Sequence, residues 1–417
     1  MSDAAGGSDH NGQGAHVELL RGLVAVASVH PDEGAAVAYL CEQMARRGFR
    51  VRTDDAGNAI GEIGDGPLHV VMLGHIDTVP GAIPVRIEGD DLYGRGSVDA
   101  KGPLATFVAA TSDAASSGRL AGLKVTVIGA TGEEAHSPGA NYLAQTMPAP
   151  DACIIGEPGG WESVVLGYKG SMQLRYVRWQ PNAHGAGQEK PAPHHAVADW
   201  NAIEAYCESL NDGQVREFDR VTPVLRGFES HTDGLVQKAA LTLTVRLPPR
   251  VSPQDVLQGI KKRQALLLND EVGNVMSYQV MRGVLRETWR ETDGEHFVWD
   301  EEAERWWDES MRQEPTTRVF LNSVEPPIPA YRCDKNTPLV RSLLAGVRAT
   351  GGTAKFKTKT GTADMNVVGP AWKCQMAAYG PGDSAQDHTP HEHIGIAEYL
   401  RAVDALAAAL GELGKAT

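Results

Sequence analysis

Three short and almost wholly apolar runs, LHVVML (68–73), KVTVIGA (124–130) and ACIIG (152–156), constrain the fold of this chain more than any other feature. A strand with no polar face has no side to give to water, so it belongs inside a sheet covered on both faces. Between the runs lie PLATFVAATSDAAS (103–116) and GANYLAQTM (139–147), which are helix-like. Strand and helix in alternation imply an α/β fold with a mostly parallel sheet. In open sheets of that kind, ligands collect at the carboxyl ends of the strands. His75, the pair Glu133-Glu134, and Glu157 stand at three such ends, and His388 follows a fourth run, QMAAYGPG. Residues scattered over more than three hundred positions can therefore meet in one crevice.

The chain has 417 residues, which exceeds what one core usually organises, so two domains are expected. HVELLRGLVAVASV and DEGAAVAYLCEQMARRG predict two opening helices, with Asp32 as cap and Gly48 as terminator of the second. RVRTDDAGNAIGEI predicts a hairpin. From about residue 167 the pattern changes: GSMQLRYVRW and ALTLTVRL alternate as half-exposed antiparallel strands, interleaved with two amphipathic helices. The first pattern resumes at NTPLVRSLLAGVRATGG. The expected organisation is residues 1–166 and 334–417 as one domain, with 1–15 a frayed tail, and 167–333 as an inserted α+β domain. Within the insert, residues 281 to 325 combine Trp289, Trp299, Trp306 and Trp307 with many carboxylates, which predicts an amphipathic surface helix with aromatic anchors.

A net charge of −14 and a pI near 5.5 argue against nucleic acid or an anionic membrane surface as the main partner. Five widely spaced cysteines without a C-x-x-C pair suggest neither a disulfide framework nor a thiolate metal site, and fit a reducing cytoplasm. No run reaches the roughly 18 apolar residues of a membrane span, and no signal peptide is expected.

The chemistry is read from residue types. His75-Ile-Asp77 puts an imidazole two residues from a carboxylate that could accept its second N–H. Alone, that pair is weak evidence. Asp99 lies among Gly94, Gly96 and Gly102 just before a helix, where a plain helix cap is the competing explanation. Glu133 and Glu134 are more telling, because adjacent like charges at an apolar strand end repel unless cations neutralise them or one holds a proton. Glu134 can then bind metal while Glu133 acts as general base.

GHIDTVPG, LYGRGSVDAKGP, TGEEA, IIGEP and HTPHE together resemble, in order, the signature segments of the dinuclear zinc aminoacylase and carboxypeptidase superfamily, of the acetylornithine deacetylase and succinyl-diaminopimelate desuccinylase type. The resemblance spans nearly the whole chain. It implies a zinc-peptidase-like catalytic domain with an inserted lid and dimerisation domain, and two zinc ions for which cobalt can substitute. It further implies that Asp99 bridges the ions, that His75 and Glu157 complete one site, and that Glu134 and His388 complete the other. Glu133 would be the base, Asp77 the partner of His75, and the Asp99–Ala100 peptide cis. A lid histidine that stabilises the oxyanion in the partner subunit of a homodimer falls on His184, with His194 and His195 as rivals.

GSVDAKGPLA, LGYKG, DKNTPLVR, KTGTADMNVV and AYGPGDS further resemble the hydrolases of amino-group carrier proteins in lysine and arginine biosynthesis, the LysK type. Such enzymes release lysine or ornithine from the C-terminal glutamate of a small acidic carrier, LysW. The site must read both ends of an amino acid. Lys169, Arg246 and Lys359 are the cations available for its carboxylate, Asp364 and Glu392 the anions for its distal ammonium, with Thr362 beside them. Docking of an acidic carrier would use Lys355, Lys357 and Lys359, or Arg282, Arg286 and Arg290. The competing readings are an acetylornithine deacetylase, another N-acyl amino acid deacylase or small-peptide carboxypeptidase, and, more distantly, a non-catalytic scaffold.

Overall fold

The computed structural model describes residues 9–182, 184, 187, 189–272, 291–292, 296–297 and 317–415. By its internal contacts the chain divides into two units, Met1–Tyr168 with Tyr331–Lys359 and Ala363–Thr417, and Lys169–Ala330 with Thr360–Thr362.

The first unit opens with helices α1 (Asp9–Ala25) and α2 (Gly34–Arg46) and the hairpin strands β1 (Arg50–Thr53) and β2 (Ala59–Gly64). There follow β3 (Leu68–His75), the short β4 (Arg86–Glu88) and β5 (Asp91–Tyr93), and α3 (Lys101–Ser116). β6 (Leu123–Ala130), α4 (Pro138–Thr146), β7 (Ala152–Gly156) and β8 (Ser163–Tyr168) complete its first half. The second unit contains β9 (Gly170–Pro181), α5 (Ala192–Ser209), β10 (Thr222–Thr232), β11 (Val236–Leu247) and α6 (Pro253–Val272). It also holds the short pair β12 (Glu291–Thr292) and β13 (His296–Phe297), and β14 (Arg318–Ser323). The first unit then resumes with β15 (Tyr331–Arg332), α7 (Pro338–Ala349), β16 (Lys355–Lys359), α8 (Met365–Trp372), β17 (Gln375–Ala378), β18 (His393–Gly395) and α9 (Ile396–Lys415).

The main sheet runs β1-β2-β6-β3-β7-β17-β8-β15, with β16 also on β8. Its centre is parallel: β3 pairs with β6 and with β7, and β7 with β17. The apolar runs explain this placement. Along β3, Val70 and Met72 enter the core on one face with Leu104 and Phe107 of α3 and Leu406 of α9. Val71 and Leu73 enter a second core with Leu143 of α4 and Val368 of α8. Period-two alternation thus sends successive residues into two different apolar layers, and burying each such side chain contributes about 1.5–3 kcal/mol.

The second unit builds a four-stranded antiparallel sheet, β10-β11-β9-β14, whose core packs Leu174, Tyr176 and Leu243 against Ala196 and Ile203 of α5 and Ile260 of α6. β9 and β11 are more buried than the expected half-exposed pattern, because they are the two inner strands of that sheet. β10 is largely exposed, which is why its polar sequence did not read as a strand.

Three local expectations need correction. Helix α1 begins at Asp9, inside the stretch expected to be a tail, since a nucleated helix extends cheaply through polar residues. Asp32 does not cap α2: Glu33 occupies that position, and its carboxylate bonds His30 Nδ1 at 2.7 Å instead of a backbone N–H. The stretch expected as an aromatic surface helix ends in strand β14, while Trp289, Trp299, Trp306 and Trp307 lie outside the described residues, as do Arg282, Arg286 and Arg290. No helix among the described residues is long and apolar enough to cross a membrane.

Candidate metal centre

Strand register brings the first residues together. His75 pairs with Ala130 across β3 and β6, and Gly74 pairs with Gly156 across β3 and β7. The carboxyl ends of three strands therefore lie level, and the residues next in the chain, Glu133-Glu134 and Glu157, emerge beside His75. The Glu pair forms a single 3-10 turn, Glu133–Ala135, behind Gly132 at φ +70°, a left-handed conformation that suits glycine.

Asp99 sits in the turn between β5 and α3, and the Asp99–Ala100 peptide is cis. Ala100, without a side-chain cap, occupies the helix cap position, so the Asp99 carboxylate is not spent on backbone donors. Its Oδ1 lies 3.1 Å from His75 Nε2 and its Oδ2 3.1 Å from His388 Nε2. His388 Nε2 also lies 2.7 Å from Glu134 Oε1. Asp99 thus stands between two histidines from opposite ends of the chain, and Asp99, Glu134 and His388 each turn one ligand atom into a cluster no more than 4.8 Å across.

Asp77 does more than the sequence suggests. His75 Nδ1 is nearest the Asp77 carbonyl oxygen, at 3.1 Å, and 3.5 Å from its carboxylate. The carboxylate chiefly accepts the backbone N–H groups of Glu133 and Glu134, both at 3.0 Å. One buried side chain therefore orients the imidazole and the two glutamates together.

Glu392, one of the two anions available for a substrate ammonium, has partners within the fold. It is buried, and its Oε1 accepts the backbone N–H of Val98 (2.9 Å) and Asp99 (3.1 Å). Its Oε2 accepts from Arg95 at 2.8 Å. These bonds cross some 293 positions of sequence and pin the Asp99 turn to the loop that carries His388. The Glu392 carboxylate is therefore already engaged by three donors inside the fold.

The electrostatics fit a divalent cation. Burial drives the carboxyls of Glu133 and Glu157 well above the usual range, and neighbouring carboxylates push the same way. Asp99 is only slightly exposed, yet bonds from His388 and His75 hold it well below its usual value. Bonds to Asp99 and Glu134 lift His388 to about 10, and bonds to Asp77 and Asp99 outweigh burial to raise His75. Imidazole nitrogens and carboxylate oxygens packed this closely are the donor set of a zinc-type site, and cations would relieve the mutual repulsion of the acids.

The remaining candidates separate. Lys359 is half-buried and faces Asp387, Glu157 and Asp99; burial lowers its pKa. Thr362 is half-buried near it in sequence. Asp364 is buried, faces His75 and Asp77, and burial lifts it to about 6 despite a bond to Ser137. Lys169 belongs to the second unit, where its Nζ donates to Thr222 Oγ1 at 2.9 Å and faces Glu217 and Arg246. His184 is exposed in the same unit, and His194 and His195 lie on α5. Lys355 pairs with Glu162 at 3.2 Å, and Lys357 donates to the Gly159 carbonyl at 2.7 Å.

Four residues near the centre went unremarked in the sequence reading. Lys101 is buried, donates to the Val26 carbonyl at 2.6 Å and faces Asp77 and Glu392, and burial lowers it to about 8. Arg95 holds Glu392. Asp387, beside His388, is lifted to about 8 by burial and by Asp99. Tyr168 ends β8. The DAKG and GRG segments carry the first two in plain view, but only the fold shows what they touch.

With this geometry established, the class is defined: residues 71–412 match the model of Peptidase family M20/M25/M40, and the chain belongs to that family of hydrolases. Among curated relatives it is 39% identical to the LysW-lysine hydrolase of Deinococcus radiodurans, over 95% of this chain and 96% of that one. It is 26% identical to the LysW-lysine/LysW-ornithine hydrolase of Sulfurisphaera tokodaii, over 82% of this chain and 81% of the other. The fold is that of a tripeptidase from Staphylococcus aureus, with a TM-score of 0.71 at 14% identity over 97% of this chain and 99% of that one. The metallo-carboxypeptidase Sso-CP2 from Sulfolobus solfataricus gives 0.65 at 16% identity, over 96% and 99%.

Proposed function

We propose that this chain hydrolyses the amide that links lysine or ornithine to the amino-group carrier protein LysW, using two divalent metal ions, zinc in the first instance. The observation that carries the reading is near full-length likeness, at 39% identity, to a relative named for that reaction, joined to a cluster of His and carboxylate donors at the sheet's carboxyl edge.

Asp99 would be shared between the ions, with His75 and Glu157 on one side and Glu134 and His388 on the other. Bound there, the ions would supply Lewis acidity toward the amide carbonyl and lower the pKa of water. Glu133 takes the proton of the attacking water and passes it to the departing amine, a task that favours a carboxylate whose pKa is raised by burial. Asp77 keeps Glu133 and Glu134 in place through their backbone. Lys359, with Lys169 and Arg246, is our candidate for the substrate carboxylate, and Asp364 with Thr362 for its distal end. His184 is our candidate second-unit donor to the oxyanion in a homodimer. The carrier, as an acidic partner, would approach along the lysines of β16, and the reaction would take place in the cytoplasm.

Purified zinc-loaded protein should release lysine or ornithine from charged LysW, read by mass spectrometry of the carrier, and a chelator should stop the reaction. Cleavage of acetylornithine with no turnover of charged LysW would instead assign the chain to small N-acyl amino acids.

A further inference from the structure

Strand β8 ends at Tyr168, whose side chain is buried and whose hydroxyl, fully enclosed, has no hydrogen-bond partner among the described residues. Buried phenols usually find a partner, because an unmade bond inside a protein is costly. The ring belongs to the apolar layer that includes Val165, Ala363 and Met365. The carboxylates whose charge acts on it are Glu157, Asp99, Glu133 and Asp387. They come from four separate segments of the metal centre, yet none accepts a bond from it. Lys359 is the register partner of Tyr168 across β8 and β16, and it faces three of the same four groups. Two donors, one neutral and one cationic, therefore flank the same anionic centre from adjacent strands.

A neutral donor that no ligand carboxylate engages is suited to an oxygen that arrives with the substrate. We propose that Tyr168 is a catalytic residue whose O–H donates a hydrogen bond to the scissile carbonyl oxygen as it becomes the tetrahedral oxyanion. The assignment rests on the amidohydrolase reading above. Attack by water forms the new C–O bond and moves the carbonyl π pair onto oxygen; collapse of the oxyanion breaks the C–N bond, and the proton held by Glu133 goes to the amine. Tyr168 keeps its own proton throughout, as burial among carboxylates, which raises its pKa well above the usual phenol value, requires. It would act within the first unit, in addition to any histidine of the second.

Tyr168→Phe removes only the hydroxyl and keeps the ring in its apolar layer. On whichever amide the wild type cleaves, charged LysW or an N-acyl amino acid, kcat should fall about 100-fold or more, the range seen for loss of one oxyanion donor, with KM changed less than about threefold. Zinc content and melting temperature should stay at wild-type values. A phosphinate analogue of the tetrahedral state should bind more weakly by a similar factor, while the affinity for free lysine holds. Unchanged kcat and unchanged phosphinate affinity would overturn the assignment, and so would a loss of kcat matched by loss of zinc. If the wild type cleaves neither substrate, the amidohydrolase reading itself fails and takes this role with it.

Discussion

His75 reaches Asp99 from the end of a buried strand, and His388 reaches the same carboxylate from a loop. The His75 side chain is 1% exposed and the His388 side chain 50% exposed. β3 and Asp77 hold the first in place. The second has φ +60°, a left-handed backbone unusual outside glycine, and depends on the Glu392 ties that fasten its loop to the Asp99 turn. One arm of the centre is therefore preorganised by the sheet, and the other by a few polar bonds between distant segments. Two histidines that offer the same donor atom to one carboxylate are thus held by unequal means, and four experiments probe that difference.

The largest effect is expected where both arms converge. Glu133→Gln should lower kcat by about 10²–10⁴, the usual contribution of a general base, while both arms retain their metal by elemental analysis. Activity near wild type would remove Glu133 from the chemistry. Next comes the loop arm. Glu392→Ala leaves Arg95 and two buried N–H groups without their acceptor, and loss of one member of a buried ion pair costs about 3–5 kcal/mol. Chemical denaturation of the metal-free variant should show that loss, with Glu392→Gln intermediate.

On the strand arm, Asp77→Asn should weaken metal binding by about 10- to 100-fold in a competition titration, with a smaller change in stability than Glu392→Ala. Equal destabilisation by the two variants would erase the distinction between the arms. The smallest effect concerns pH. In the metal-free protein His388 keeps its proton up to about 10, against an ordinary value of 6.5, so its favourable contribution is complete below 6.5 and lost as pH rises through about 10. Half-exposure keeps that contribution small. Metal must displace the same proton, so zinc affinity should climb by up to about tenfold per pH unit from 6.5 to 9. Melting temperatures with and without zinc should therefore diverge as pH rises, and parallel curves would contradict the proton assignment.

The same contrast explains what could be read from the sequence. β3, β6 and β7 were legible because burial on both faces leaves an unbroken apolar run. His75, Glu133, Glu134 and Glu157 were legible because they stand where those runs stop. Glu392 stood with Asp364 as an anion available for an amine, since its three donors lie nearly three hundred residues away and no local pattern announces them. Tyr168 escaped notice for a related reason: a tyrosine at a strand end is unremarkable until the carboxylates around its hydroxyl are known. Asp32 looked like a helix cap by type and position, but the helix starts one residue later than its pattern suggested.

We propose that side chains from both ends of the chain hold two cations around Asp99. Anomalous diffraction from zinc-soaked crystals tests it most directly. Two peaks sharing Asp99 are expected, one completed by His75 and Glu157 and the other by Glu134 and His388. Zinc bound elsewhere, with the His75–Asp99–His388 contacts intact and no anomalous signal among them, would contradict it.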